Sequence, residues 1–170
     1  MLIYLIGFMG SGKSTIGIML AKKLKYKFID LDEQIEKNSK KKIQKIFNVE
    51  GGETKFRKIE SRELKKVSGL RKAVVATGGG ASCFNNNMEL MNQTGITVYI
   101  KMEAGSLFHR LAKSKAQRPL IAELSDMQLM EFIMGAIPVR EPYYLQAKFT
   151  VNGEHLRPES IALKISKKLT

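Results

Sequence analysis

Cysteine is nearly absent from this sequence, with Cys83 the only one in 170 residues. No intrachain disulfide and no CxxC metal or redox pair can form, so a reducing compartment is the natural setting. Histidine is scarce too. With only His109 and His155, separated along the chain, no zinc-type cluster can be drawn and both are expected at the surface. No apolar run approaches the roughly 18 residues that a membrane-spanning helix needs. The first residues read as a short strand and not as the apolar region of a signal peptide, so a soluble, cytoplasmic protein with no membrane partner is expected. Internal repeats and low-complexity linkers are missing as well. Together with an apolar content of 44%, this favours one domain over residues 1–170.

Acidic residues are outnumbered, with 16 Asp and Glu against 29 Lys and Arg, a formal net charge of +13. Such a balance suits nucleic acid, an anionic membrane or a small polyanionic substrate, and charge alone does not choose among them. Lys37, Lys40, Lys41, Lys42 and Lys45 fall in one polar run that reads as solvated surface. No aromatic-and-basic ladder or other nucleic-acid motif accompanies the charge, so a nucleic-acid partner is not expected.

Short apolar runs alternate with longer amphipathic segments, the pattern of βαβ units around a parallel sheet. Strands are expected near Leu2–Ile6, Lys27–Ile29, Ala73–Ala76, Thr97–Ile100 and Lys148–Val151. Between Lys13 and Leu24 the apolar residues Ile16, Met19, Leu20 and Leu24 recur at helical spacing. Phe56, Ile59, Glu60, Leu64 and Val67 do the same between Thr54 and Val67. Ser125 and Asp126 open a helix expected to run through Phe132, and Pro158 opens a last one ending near Leu169. One segment, KSKAQRPLIAEL over Lys113–Leu124, breaks the pattern with three basic residues and a proline between two helices. A long polar connection of this kind is often functional.

Only the first motif declares its chemistry unaided. In LIGFMGSGKST, Gly7, Gly12, Lys13 and Ser14 satisfy GxxxxGK(S/T), with a strand before and a helix after. Glycines let successive backbone N–H groups converge on phosphate oxygens, and the positive end of the following helix adds favourable potential. Gly10, Ser11, Gly12, Lys13, Ser14 and Thr15 are therefore the expected binding set for the phosphates of ATP. Lys13 would reach the β- and γ-phosphates and Ser14 would take a Mg²⁺ ligand position. A switch, a motor and a small-molecule kinase all begin this way.

Further along, Asp30 and Asp32 end the second strand at the edge where open α/β sheets bind ligands. Two acids there can divide labour, Asp30 on the Mg²⁺ shell and Asp32 on an acceptor hydroxyl. Either could instead merely cap a helix over Glu33–Lys37. Arg57 with Glu60 three residues on would suit a carboxylate ligand, although taken alone such a pair is more often an exposed helix contact. The run Gly78-Gly79-Gly80 points to a close approach of backbone to ligand. Arg118 in RPL and Arg140 in VREPYY would each be surface residues on their own.

In this order and over nearly the whole chain, GFMGSGKST, FIDLDEQIE, GETKFRKIE, TGGG, RPL and REPYY resemble shikimate kinase, a nucleoside-monophosphate-kinase-like family. The resemblance implies a three-layer α/β P-loop fold, with a five-stranded parallel sheet flanked by helices. It implies transfer of the ATP γ-phosphoryl group to the 3-hydroxyl of shikimate with Mg²⁺, a monomer, a substrate-binding region at about 32–60 and a lid at about 112–124. Carried over by motif, Lys13, Asp32 and Arg118 would be catalytic, with Asp32 the base and Arg118 the lid arginine reaching the phosphates. Asp32, Arg57, Gly79, Gly80 and Arg140 would bind shikimate, the two arginines clamping its carboxylate. Ser14 and Asp30 would serve the metal, and Arg110 with Leu156-Arg157-Pro158 would lie on the adenine side. The rivals are a gluconate-type kinase on the same scaffold and a nucleotide-gated nucleic-acid-binding protein.

Overall fold

Hydrophobic side chains on both faces of a strand require cover on both sides, and the first strand shows the consequence. In the computed structural model, which describes residues 1–48, 51–115, 118, 120–154 and 157–169, β1 (Leu2–Ile6) is buried along its whole length. It is the middle of a sheet ordered β2-β3-β1-β4-β5, completed by β2 (Lys27–Asp30), β3 (Ala73–Ala76), β4 (Ile96–Lys101) and β5 (Phe149–Asn152). All pairings are parallel, with Leu2 opposite Ala73 and Ile3 opposite Ile96. The chain leaves β1 toward β2, returns to β3 and then crosses to β4. Connections therefore diverge at β1, which opens a crevice at the carboxyl ends of the central strands.

The two-residue period of the strands sorts the core into two layers. Ile3, Leu5, Val74, Val98 and Ile100 face one side, where they pack on Ile16 and Leu20 of α1 (Lys13–Leu24) and on Ile161 and Ile165 of α8 (Pro158–Leu169). Leu2, Tyr4, Ile6, Val75 and Tyr99 face the other. There they meet α2 (Leu31–Ser39), α3 (Ile43–Phe47), α4 (Gly52–Val67), α5 (Asn87–Thr94), α6 (Ala104–Ser114) and α7 (Asp126–Tyr144). The result is the expected three-layer α/β fold around a five-stranded parallel sheet. None of the helices among the described residues is long and apolar enough to cross a membrane.

The strands lie where expected to within a residue at each end. Ser125 caps α7 as anticipated, accepting from the Gln128 N–H while the Gln128 side chain accepts from the Ser125 N–H. The expected end at Phe132 is wrong, because α7 continues to Tyr144 through Pro138 and Pro142. Proline removes the bond to the carbonyl four residues back, here Met134 and Pro138. Both residues are exposed, so water has access to that side of the helix, while the buried Ile133 and Tyr144 hold another face against the core. The lysine run from Lys37 to Lys45 is exposed as expected, Lys42 pairing with Glu36 at 2.6 Å.

Candidate active site

The β1–α1 loop is shaped by glycine. Gly7 and Gly12 have φ of 138° and 89°, and a β-carbon on Gly7 would come within 2.8 Å of the Ile100 carbonyl. Lys13 folds back over this loop and donates to the Gly7 and Phe8 carbonyls at 2.8 Å each and to Ser11 Oγ at 3.5 Å. Burial brings its ammonium down to about 8, opposed by Asp32. A buried cation hydrogen-bonded to neutral oxygens is the group an incoming phosphate would engage. Gly10, Gly12, Lys13, Ser14 and Thr15 line a cavity of about 250 Å³. Ser11 is instead buried beneath the loop and positions Lys13.

Asp30 does two things at once. Its Oδ1 accepts from the N–H groups of Asp32 and Glu33, capping α2, while its Oδ2 accepts from the Ser14 hydroxyl at 2.6 Å. The capping alternative is therefore met without removing the other role. The Ser14–Asp30 pair supplies hard oxygen donors beside the phosphate cavity, which suits Mg²⁺ completed by water and phosphate oxygens. Both donors are hard oxygens, a hydroxyl and a carboxylate, which suit Mg²⁺ better than a transition metal. Asp32 is brought up to about 6 by burial and by Asp30, with Lys13 and Arg57 opposing. Its Oδ1 is buried with no hydrogen-bond partner.

Arg57 and Glu60 do not form the exposed helix contact that their spacing alone suggests. They are 7% and 0% exposed, joined at 2.8 Å from Nη1 to Oε2. Burial pushes Glu60 up to about 7 against the pull of Arg57. The triple glycine explains how these groups fit. A β-carbon at Gly78 would lie 2.9 Å from Glu60 Oε1 and 3.0 Å from Asp32 Oδ1, and one at Gly80 only 2.5 Å from Arg57 Nη2. The missing side chains make room for the site's own charged groups as well as for a ligand.

Asp32, Arg57, Gly79, Gly80, Arg118 and Arg140 all line a second cavity of about 560 Å³. It meets the phosphate cavity over Met9, Asp32, Gly78, Gly79 and Arg118, which line both. Arg140, carried by α7, has a buried Nη1 with no partner. Arg118 is half-buried, with its Nε 3.5 Å from Ser114 Oγ. Burial lowers its guanidinium below the ordinary value, while Asp32 opposes. Neither arginine is a free surface residue. On the outer side of the phosphate cavity Arg110 Nη1 reaches the Gly10 carbonyl at 3.5 Å. Arg157 is exposed and His109 likewise. His155, Leu156 and part of the expected lid lie outside the described residues.

A model of the family described as shikimate kinase matches residues 9–170. The chain belongs to the shikimate kinase family. A shikimate kinase of Phocaeicola vulgatus is 45% identical over 154 residues, covering 91% of this chain and 87% of that protein. Its counterpart from Bacteroides thetaiotaomicron is 44% identical with the same coverage. In three dimensions the crystal structure of a shikimate kinase from Bacteroides thetaiotaomicron superposes with a TM-score of 0.93 at 41% identity, covering 99% of this chain and 97% of that one. That of Acinetobacter baumannii shikimate kinase in complex with shikimate gives 0.88 at 32%, covering 99% and 92%.

Several residues around this shikimate kinase site escaped the sequence reading. Tyr144 donates to the Gly79 carbonyl, fastening the triple-glycine turn to α7, and burial raises its phenol above the ordinary value. Phe84 places its ring centroid 4.3 Å from the Arg57 guanidinium. Asn85 and Asn86 adopt φ of 51° and 56°, which Asn tolerates better than most residues, and Asn85 Nδ2 donates to the Arg57 carbonyl and to Ser61 Oγ. Glu53 also holds Arg57. Only Glu53 carried a readable signal, being four residues before Arg57 on one helix.

Proposed function

We propose that this protein is a shikimate kinase that transfers the γ-phosphoryl group of ATP to the 3-hydroxyl of shikimate, acting as a cytoplasmic monomer without a nucleic-acid partner. The observation that carries this reading is the junction of the two cavities at Asp32, Gly79 and Arg118. One cavity has the means to hold a nucleotide's phosphates, and the other has two arginines and a carboxylate suited to a small hydroxylated acid.

Shikimate enters the larger cavity and its carboxylate engages Arg57 and Arg140. The unpartnered Nη1 of Arg140 gains an anion, which relieves the cost of a buried unpaired donor. The N–H groups of Gly79 and Gly80 border the acceptor, and Asp32 Oδ1, ionised at neutral pH, accepts from the hydroxyl that attacks. Across the junction Lys13 exchanges the Gly7 and Phe8 carbonyls for phosphate oxygens. Arg118 approaches the transferring group from the 112–124 segment, which acts as the lid, and residues 32–60 form the acceptor region. Charge in the loose transition state accumulates on the equatorial phosphoryl oxygens, so Lys13 and Arg118 contribute more to rate than proton removal does. Ser14 and Asp30 would hold Mg²⁺, which supplies charge neutralisation and orientation of the phosphates.

The test is ADP release from Mg²⁺-ATP with shikimate, gluconate, a nucleoside monophosphate or no acceptor, in wild type and Arg57→Ala. Release that requires shikimate and drops about ten- to 150-fold in kcat/KM in the variant, the loss of a charged hydrogen bond, is expected. Equal stimulation by gluconate, or none by any acceptor, would remove the proposal.

A further inference from the structure

Arg57 is gripped by two carboxylates of its own helix, and they differ in kind. Glu60 is fully buried and takes Nη1 at 2.8 Å. The Glu53 side chain is 55% exposed and takes both Nε and Nη2 on a single oxygen, Oε1, at 3.2 and 2.9 Å. The backbone of Gly80 approaches the Nη1 and Nη2 end so closely that a β-carbon there would lie 2.9 and 2.5 Å from them. The Phe84 ring lies 4.3 Å from the guanidinium carbon. Glu60, Gly80 and Phe84 already confine the guanidinium, so what Glu53 chiefly adds is negative charge. Arg140, lining the same cavity, offers the contrast of a buried Nη1 with no partner. Among the cations that line the acceptor cavity, Arg57 has two carboxyl partners of its own helix, whereas Arg140 keeps an open donor.

We infer that Glu53 sets the affinity for the anionic acceptor, as a built-in carboxylate that competes for the charge of Arg57 without touching the reacting atoms. The inference rests on the reading of the larger cavity as the acceptor site. A negative charge fixed on Arg57 weakens the attraction felt by a second carboxylate, and at a partly exposed site the effect is moderate. Tighter ground-state binding would lower KM without accelerating the chemical step. Glu53 is therefore an affinity-setting, positioning residue and not a catalytic one.

Glu53→Gln keeps an oxygen facing Arg57 and removes the charge. KM for shikimate is expected to fall about three- to ten-fold, the size of a partly screened charge interaction, with no rise in kcat. The methyl ester of shikimate, which has no charge to attract, should show no such gain. Glu53→Asp, which keeps the charge on a shorter stem, should stay near wild type. A purely structural role for Glu53 predicts the opposite sign, since loosening Arg57 would raise KM for acid and ester alike. An unchanged or raised KM in Glu53→Gln, with wild type still releasing ADP in response to shikimate, overturns this inference alone. Wild type that shows no shikimate-dependent release overturns the functional reading and this inference with it.

Discussion

Asp32 sits where both cavities meet, with an unpartnered buried oxygen. Asp32→Asn keeps the shape and loses proton acceptance, so kcat should drop by about 10²- to 10⁴-fold. Near-normal turnover in a single-turnover assay would remove the base role. Glu60 makes a prediction about pH. Its folded value of about 7 lies above the ordinary 4.5, so the folded state holds the proton more tightly than the unfolded chain. Its stabilising contribution in the unliganded protein is therefore full below about 4.5 and lost as pH rises through about 7. Melting temperatures of wild type and Glu60→Gln between pH 4 and 8 should show wild type losing ground as pH rises. A wild type that gains ground over that window would show that Arg57 keeps Glu60 ionised.

Helix α7 carries Arg140 into the cavity and, one turn later, Tyr144 to the Gly79 carbonyl. The element thus links the arginine and the glycine turn as a unit. Tyr144→Phe would leave the half-buried Gly79 carbonyl without its partner, costing about 1–3 kcal/mol. A melting point lower by roughly 2–10 °C is expected for a chain of this length, along with a raised KM for shikimate. An unchanged KM with the full loss of stability would confine Tyr144 to a purely structural part. The Lys113–Leu124 segment and α7 show what local patterns leave out. The Ser125 cap located the start of α7, but the expected end at Phe132 fell short, because whether a helix can run on through Pro138 and Pro142 depends on what the rest of the fold packs against it.

For the molecule as a whole, the +13 charge is met at the site by a specific distribution. Lys13, Arg57, Arg110, Arg118 and Arg140 line the cavities, and from the exposed Lys37 to Lys45 run Lys42 joins them at the rim of the larger one. The Ser14–Asp30 pair ties the phosphate loop to β2 across the crevice, and under the proposed reading both residues would hold one Mg²⁺. Chelation with EDTA is expected to abolish ADP release and added Mg²⁺ to restore it, with Ser14→Ala requiring a higher concentration for half-restoration. Turnover undiminished in EDTA would remove Mg²⁺ from the proposal.

Five strands, the helices α1 and α8, the phosphate loop and the order of the site motifs were legible in the chain, because two- and 3.6-residue periods and glycine-rich turns are local properties. Burial was not. Arg57 and Glu60 have a spacing that usually means an exposed pair, and packing against the Gly78–Gly80 turn and Phe84 made it a desolvated one. Arg118 and Arg140 likewise gained their meaning from the elements that converge at the carboxyl ends of the strands. Charges distant in sequence become neighbours only through topology, and their ionisation follows from the water they lose there.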